Sequence, residues 1–237
     1  LKNDSIDSIS FDQTLNDKSF SSFIQIPYFS KLKYFRASNI NNINFSSSIQ
    51  FFRNISILSL KSCNLKVGDV LNYISSDQLN SLKELDLSGN IGTGFESDQI
   101  SFPNQLLSIY VNDIKWEIGN LISFFNLLCC SNLTTLSINN IKFLNPNKQD
   151  TKYKKSNRVQ NIFDDYDFNC WKSLFDNIPF KMNSINHLNW NSNRINSKFI
   201  TFLMNSKQLI NVSFCGCHSN DLIFIKSLLL TRQILSI

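Results

Sequence analysis

Histidine is scarce in this chain: His187 and His218 are the only two among 237 residues. H-E-x-x-H is therefore absent, and so are G-x-x-x-x-G-K-[ST] and G-x-S-x-G, which leaves no zinc-protease, phosphate-loop or nucleophile-elbow signature. Gly92-Thr93-Gly94 is a single glycine pair, too short to cradle a phosphate. The six cysteines (Cys63, Cys129, Cys130, Cys170, Cys215 and Cys217) contain no C-x-x-C pair, and Cys215 and Cys217 stand too close for a usual zinc knuckle. No cofactor or metal is expected. The longest apolar run, Leu121 to Cys130, is about half of what a membrane span needs, and Leu1-Lys2-Asn3-Asp4 opens without an apolar core. The net charge of +5 is mild for this length and forms no basic stripe, so neither a membrane span nor a nucleic-acid partner is expected. A charged fraction of 17% against 42% hydrophobic residues instead supplies ample core for a folded chain.

What the sequence does contain is a recurrence. Leu82, Leu85, Leu87 and Asn90 form LKELDLSGN. Ile55, Leu58, Leu60, Cys63 and Leu65 repeat its spacing, as do Ile185, Leu188, Trp190, Asn193 and Ile195. Weaker copies start at Leu106 and Leu133, with Ile114 and Ile141 at the Asn position, and at Leu209, with Cys217 there. Leu32, Phe35 and Ala37 make a degenerate copy, Ile6, Ile9 and Phe11 a poorer one, and Ile234 and Ile237 begin another. Successive starts lie 26, 23, 27, 24, 27, 52, 24 and 25 residues apart. Side chains alternate along a strand, so the second and third apolar residues of each copy face one way and the polar residues between them the other. Strands stacked in parallel make one sheet with an apolar core behind it. The Asn or Cys then turns the chain and hydrogen-bonds backbone that would otherwise be orphaned inside.

This template resembles the leucine-rich repeat superfamily. LDLSGN-type strands with helical returns look most like its ribonuclease-inhibitor-like class, and within it are similar to the repeats of the CARMIL and tropomodulin regulators of actin filament ends. The mean period is shorter than that class usually has, so cysteine-containing F-box-type repeats remain a rival. The resemblance implies an α/β solenoid over residues 1–237, with a parallel inner sheet and short helices or loops on the convex side. It carries over no functional residue. Without an initiator Met, and with both ends cutting through repeats, the chain is expected to be a piece of a longer protein.

Between the strands, 68–81, 117–132, 170–184 and 197–208 carry helical spacing on one face, while 91–105 has Gly, Pro and little periodicity and predicts a loop or a short turn. The 52-residue step is the outlier. A degenerate repeat near Val159 and Ile162 would bury Asp164 and Asp167, so a loop insertion at 145–169 is preferred. Its basic half (Lys148, Lys152, Lys154, Lys155, Arg158) and acidic half (Asp164, Asp165, Asp167) fit either a solvated loop or a docking loop for an acidic partner or anionic membrane. Asp165, Asp167, Asn169 and Asp176 mimic a calcium loop, but Cys170 stands where that turn demands Gly and no incoming helix precedes it.

Alternation also names the outward face. Tyr34, Arg36, Lys61, Glu84, Asp86, Tyr110 and His187 are the candidate partner-binding residues; tyrosine and arginine in particular dominate binding hot spots. His187 should lie three strands from Glu84 and Asp86, roughly 15 Å, too far for a hydrogen-bonded triad. The expected function is non-catalytic recognition of a protein partner on the concave sheet, possible roles including regulation of the actin cytoskeleton. Six thiols read as reduced make a cytoplasmic location the expectation. The alternatives are a secreted or cell-surface adhesion protein, which the N-x-S/T sequons at Asn3, Asn44, Asn54, Asn132 and Asn211 would serve, and the substrate-recognition repeats of an F-box ubiquitin ligase.

Overall fold

The computed structural model describes residues 6–11, 31–40, 53–75, 79–95, 100–129, 131–144, 157–178 and 182–217, with backbone alone at 75 and 157–165. In chain order the elements are β1 (Ser8–Phe11), β2 (Tyr34–Ser38), β3 (Ile57–Lys61), α1 (Val67–Ser75), β4 (Glu84–Asp86), β5 (Ile91–Gly92), β6 (Ser108–Tyr110), β7 (Lys115–Trp116), α2 (Ile118–Leu128), β8 (Thr135–Ser137), β9 (Lys142–Phe143), α3 (Asn157–Asn177), β10 (His187–Asn189), α4 (Ser197–Asn205) and β11 (Asn211–Ser213). This is an α/β fold. Eight strands form one sheet in the order β1-β2-β3-β4-β6-β8-β10-β11, and every pairing is parallel.

The register follows the apolar spacing. Ile9, Phe35, Leu58, Leu85, Ile109, Leu136, Leu188 and Val212 stand side by side across the sheet. All but the half-buried Ile9 are buried. Leu60, Leu87, Val111, Ile138 and Trp190, two residues further along, are wholly buried as well. The helices close the core from behind. Phe124 and Phe125 of α2 lie against Trp116 and Trp190, ring centroids 5.3 and 6.0 Å apart, and Phe199 of α4 approaches Trp190 at 4.5 Å. Aromatic packing of this kind adds to what area burial alone contributes.

The turn after each strand is built the same way seven times. Seven residues beyond each first apolar position stands a residue with positive φ: Asn39, Ser62, Gly89, Asp113, Asn140, Ser192 and Gly216. The next residue points back into the core. Where it is polar, its side chain reaches a carbonyl of the preceding rung. Asn90 Nδ2 donates to Leu60 O at 2.6 Å, and Asn193 Nδ2 to Ile138 O at 2.6 Å. Cys63 Sγ donates to Ala37 O at 3.7 Å and Cys217 Sγ to Trp190 O at 3.6 Å. Asn90 Oδ1 also accepts from the backbone of Cys63 and Leu65, and Asn193 Oδ1 from that of Ile141. Ile40, Ile114 and Ile141 fill the same place with apolar volume and are buried.

The return path holds a second, smaller parallel sheet, β5-β7-β9, which the sequence pattern does not announce. Gly92 lies in it against the Trp116 ring, too close to leave room for a Cβ. The stretch 91–105 contributes only β5 and turns, with no helix among its described residues.

The 52-residue step lies between β8 and β10, which pair directly, Leu136 opposite Leu188. The loop expected at 145–169 needs correction. Residues 145–156, with Lys148, Lys152, Lys154 and Lys155, lie outside the described residues, but α3 begins at Asn157 and runs unbroken to Asn177. The reason is a spacing that continues backwards: Val159, Ile162, Tyr166, Cys170, Leu174 and Ile178 recur every three to four residues, as a helix face requires. Aspartates unacceptable inside a strand are tolerated on the other side of a helix. The calcium-loop mimic fails for the same reason, since Asp165, Asp167, Asn169 and Asp176 stand on one continuous helix that cannot wrap an ion. Among the described residues no helix is long and apolar enough to cross a membrane.

Candidate interaction face

The outward positions form rows across the strands. One row runs Tyr34, Ile57, Glu84, Ser108, Thr135, His187 and Asn211, and the next Arg36, Ser59, Asp86, Tyr110, Ser137, Asn189 and Ser213. Six of the seven candidate residues are thereby brought together on four adjacent strands: Tyr34 and Arg36 on β2, Lys61 on β3, Glu84 and Asp86 on β4, and Tyr110 on β6. Tyr34, Arg36 and Lys61 are exposed, and Glu84 and Tyr110 half-buried. His187 stands apart on β10, two strands from Tyr110 and three from Glu84, where its Nδ1 meets Asn211 Nδ2 at 2.9 Å.

Asp86 departs from the expectation of an open carboxylate. It is only 9% exposed, and one side chain and one backbone N–H engage it. Lys61 Nζ lies 2.9 Å from its Oδ2, and the backbone N–H of Ser88 donates to its Oδ1 at 3.1 Å. Asp86 therefore holds Lys61 in place rather than meeting a partner on its own. Ser59 and Ser137, outward by alternation, are buried too. The phenol of Tyr110 is pushed above its ordinary pKa, first by burial and then by the adjacent Glu84 and Asp86 carboxylates, and stays a neutral donor.

The other half of the face is occupied by its own hydrogen bonds. Ser88 Oγ accepts from Asn112 N. Asn112 Oδ1 accepts from Asn139 N and Ser137 Oγ, both at 2.9 Å. Asn139 Oδ1 accepts from Asn191 N at 2.8 Å, and Asn191 Oδ1 from Cys215 N and Ser213 Oγ at 2.7 Å. Each asparagine oxygen receives the backbone of the following rung, so these side chains brace neighbouring rungs together. Sequence reasoning found the positions but not this use of them; three asparagines at one repeat position were the signal.

The remaining chemistry is sparse. Among the described residues no group of His, Cys, Asp and Glu could hold a metal ion. Cys63, Cys170 and Cys215 are thiols, the Sγ of Cys129 donates to Phe125 O and that of Cys217 to Trp190 O, while Cys130 and His218 lie outside the described residues. Burial pushes the Cys63 and Cys170 thiols up, away from the reactive thiolate. Of the sequons, Asn54, Asn132 and Asn211 are exposed; Asn3 and Asn44 lie outside the described residues. No family model and no curated protein matches the chain.

Proposed function

We propose that this chain is a leucine-rich-repeat solenoid that acts as a non-catalytic protein-recognition scaffold, with its docking surface on β2, β3, β4 and β6. The observation that carries the reading is the cluster of Tyr34, Arg36, Lys61, Glu84 and Tyr110 on four adjacent, register-matched strands backed by a buried core. A paired sheet fixes the backbone that presents these side chains, so no loop has to be ordered on binding, and a mix of aromatic and both charge signs suits a folded protein. Support for the repeat class comes from the recurring positive-φ turn and from Asn90 and Asn193, which reach back one rung in the same way. A role at actin filament ends is the particular version that the repeat resemblance suggests. A cytoplasmic location belongs to the same reading, with secretion as its alternative.

The test is an affinity pull-down from the source cell with the full chain. Arg36→Ala combined with Tyr110→Ala should lose the partner that wild type captures, while Asn189→Ala, on the same face, should keep it. Retention of every partner by the double variant would place recognition elsewhere.

A further inference from the structure

At the edge where the strands begin lies a groove of about 500 Å³, lined by Asp7, Lys31, Lys33, Asn54, Ser56 and Ser81. It is distinct from the outward rows, because its residues precede the strands or occupy the residue before the first outward position. The backbone links its walls: Lys33 N donates to Asp7 O, Ser56 N to Lys33 O, and Lys83 N to Ser56 O, at 2.8 to 2.9 Å. Lys83 thus continues the line of Lys33 and Ser56 one strand further, and Arg53 precedes Asn54. Lys31, Lys33, Arg53 and Lys83 are all exposed. The two ion pairs among the described residues, Lys61–Asp86 and Lys198–Asp176, engage none of them. Among the described residues, Lys31 and Lys33 line the groove beside one carboxylate, Asp7, and Arg53 and Lys83 adjoin that lining in sequence and register, on a stretch of edge four strands wide.

We propose that this groove seats a carboxylate-rich peptide segment of a protein partner. Lysine ammonium groups pair with side-chain carboxylates, while the Ser56 and Ser81 hydroxyls can donate to or accept from an extended peptide backbone. Asp7 fits a peptide, which carries N–H donors, and disfavours a continuous polyanion. Among the described residues no aromatic side chain lines the groove. The proposal rests on the protein-recognition reading and adds a second contact beside the sheet face, where opposite charge sets encounter rate and orientation.

The experiment measures fluorescence polarisation of a labelled glutamate-rich peptide on the full chain, with the matching glutamine-rich peptide as control. The glutamate peptide should bind, more weakly as salt rises, and at least about tenfold more tightly than the glutamine peptide. Lys31→Glu with Lys33→Glu should weaken it by about tenfold or more, and Lys198→Glu, at the other end of the sheet, should not. Asp7→Asn should strengthen binding about two- to fivefold, a gain that impaired folding would not produce. Arg36→Ala with Tyr110→Ala should leave peptide binding intact even where it abolishes partner capture, which separates failure of this site from failure of the sheet face. The proposal is overturned by equal binding of both peptides, by equal loss in Lys198→Glu, by no gain in Asp7→Asn, or by a single-stranded oligonucleotide that binds more tightly than the peptide and displaces it.

Discussion

Asn90 donates to the carbonyl of Leu60, thirty residues earlier, at 2.6 Å, and so ties its own turn to the strand before it. Its oxygen accepts from Cys63 N and Leu65 N, so one buried amide satisfies backbone that no regular ladder reaches. Removing it leaves several polar groups buried and unpaired, at about 1–3 kcal/mol each before relaxation. Asn90→Ala and Asn193→Ala should therefore each cost about 2–4 kcal/mol, and Cys63→Ala, which gives up only weak thiol bonds, about 1 kcal/mol. Denaturant melts that rank Cys63→Ala as the most damaging would show that the amides do not hold the rungs.

The strand register has its own test. Leu85→Ala and Leu188→Ala each empty a fully enclosed place between stacked strands and should cost about 2–5 kcal/mol. Glu84→Ala, one residue away on the other face, should cost under about 1 kcal/mol. Glu84→Ala as the worst of the three in urea melts would contradict the assigned faces.

Gly89 occupies the positive-φ corner at +75°, with the Ser62 hydroxyl against the place a Cβ would take. Gly89→Ala should be destabilising by about 1–3 kcal/mol, and Ser62→Ala in the same chain should recover part of that loss by clearing the hydroxyl. Additive losses in the double variant would mean that the two corners do not touch.

Tyr166 donates its hydroxyl to Leu144 O at 2.8 Å. Its pKa is pushed up to about 12 by burial, with Cys170 and Glu117 adding to the rise. An unfolded tyrosine ionises near about 10. Between these values the folded chain keeps a proton that the unfolded chain has released. The contribution of Tyr166 to stability is thus complete below about pH 10 and lost as the pH climbs towards about 12. Melts of Tyr166→Phe against wild type across that range should converge as pH rises; a constant difference would contradict the assignment.

Thiol chemistry should follow burial. Cys215 is exposed and should alkylate first in the folded chain, with Cys63 last. After unfolding without reductant, titration should recover all six thiols if the chain is cytoplasmic. Recovery of two or four would remove that location and favour the adhesion reading.

Much of the arrangement could be read from spacing because the strand side-chain period admits only one set of inward residues. Leu58, Leu85, Ile109, Leu136 and Leu188 could not have faced solvent together without leaving Ser59, Asp86 and their neighbours to fill a core. The helical returns were similarly visible wherever apolar residues recurred every three or four positions. The N-terminal half of α3 is harder to read because Asp164 and Asp167 argue against a buried strand but not against a helix. The candidate face was legible as a set of positions but not as a set of roles. Alternation says that Asp86, Asn112, Asn139 and Asn191 point outward; it cannot say that Lys61 encloses the first or that the asparagines bond to one another's rungs.

The direct pairing of β8 with β10 has a consequence for how such a chain tolerates insertions and deletions. The 52-residue step between those strands leaves Leu136 opposite Leu188. A single residue added within β4 would instead turn Leu85 outward and Glu84 inward, exchanging the two faces of that strand at once. Length variation should therefore concentrate behind the sheet, where a return can lengthen into a helix such as α3, and be purged from the three to five residues of each strand. Long additions behind are gentler than short ones in front.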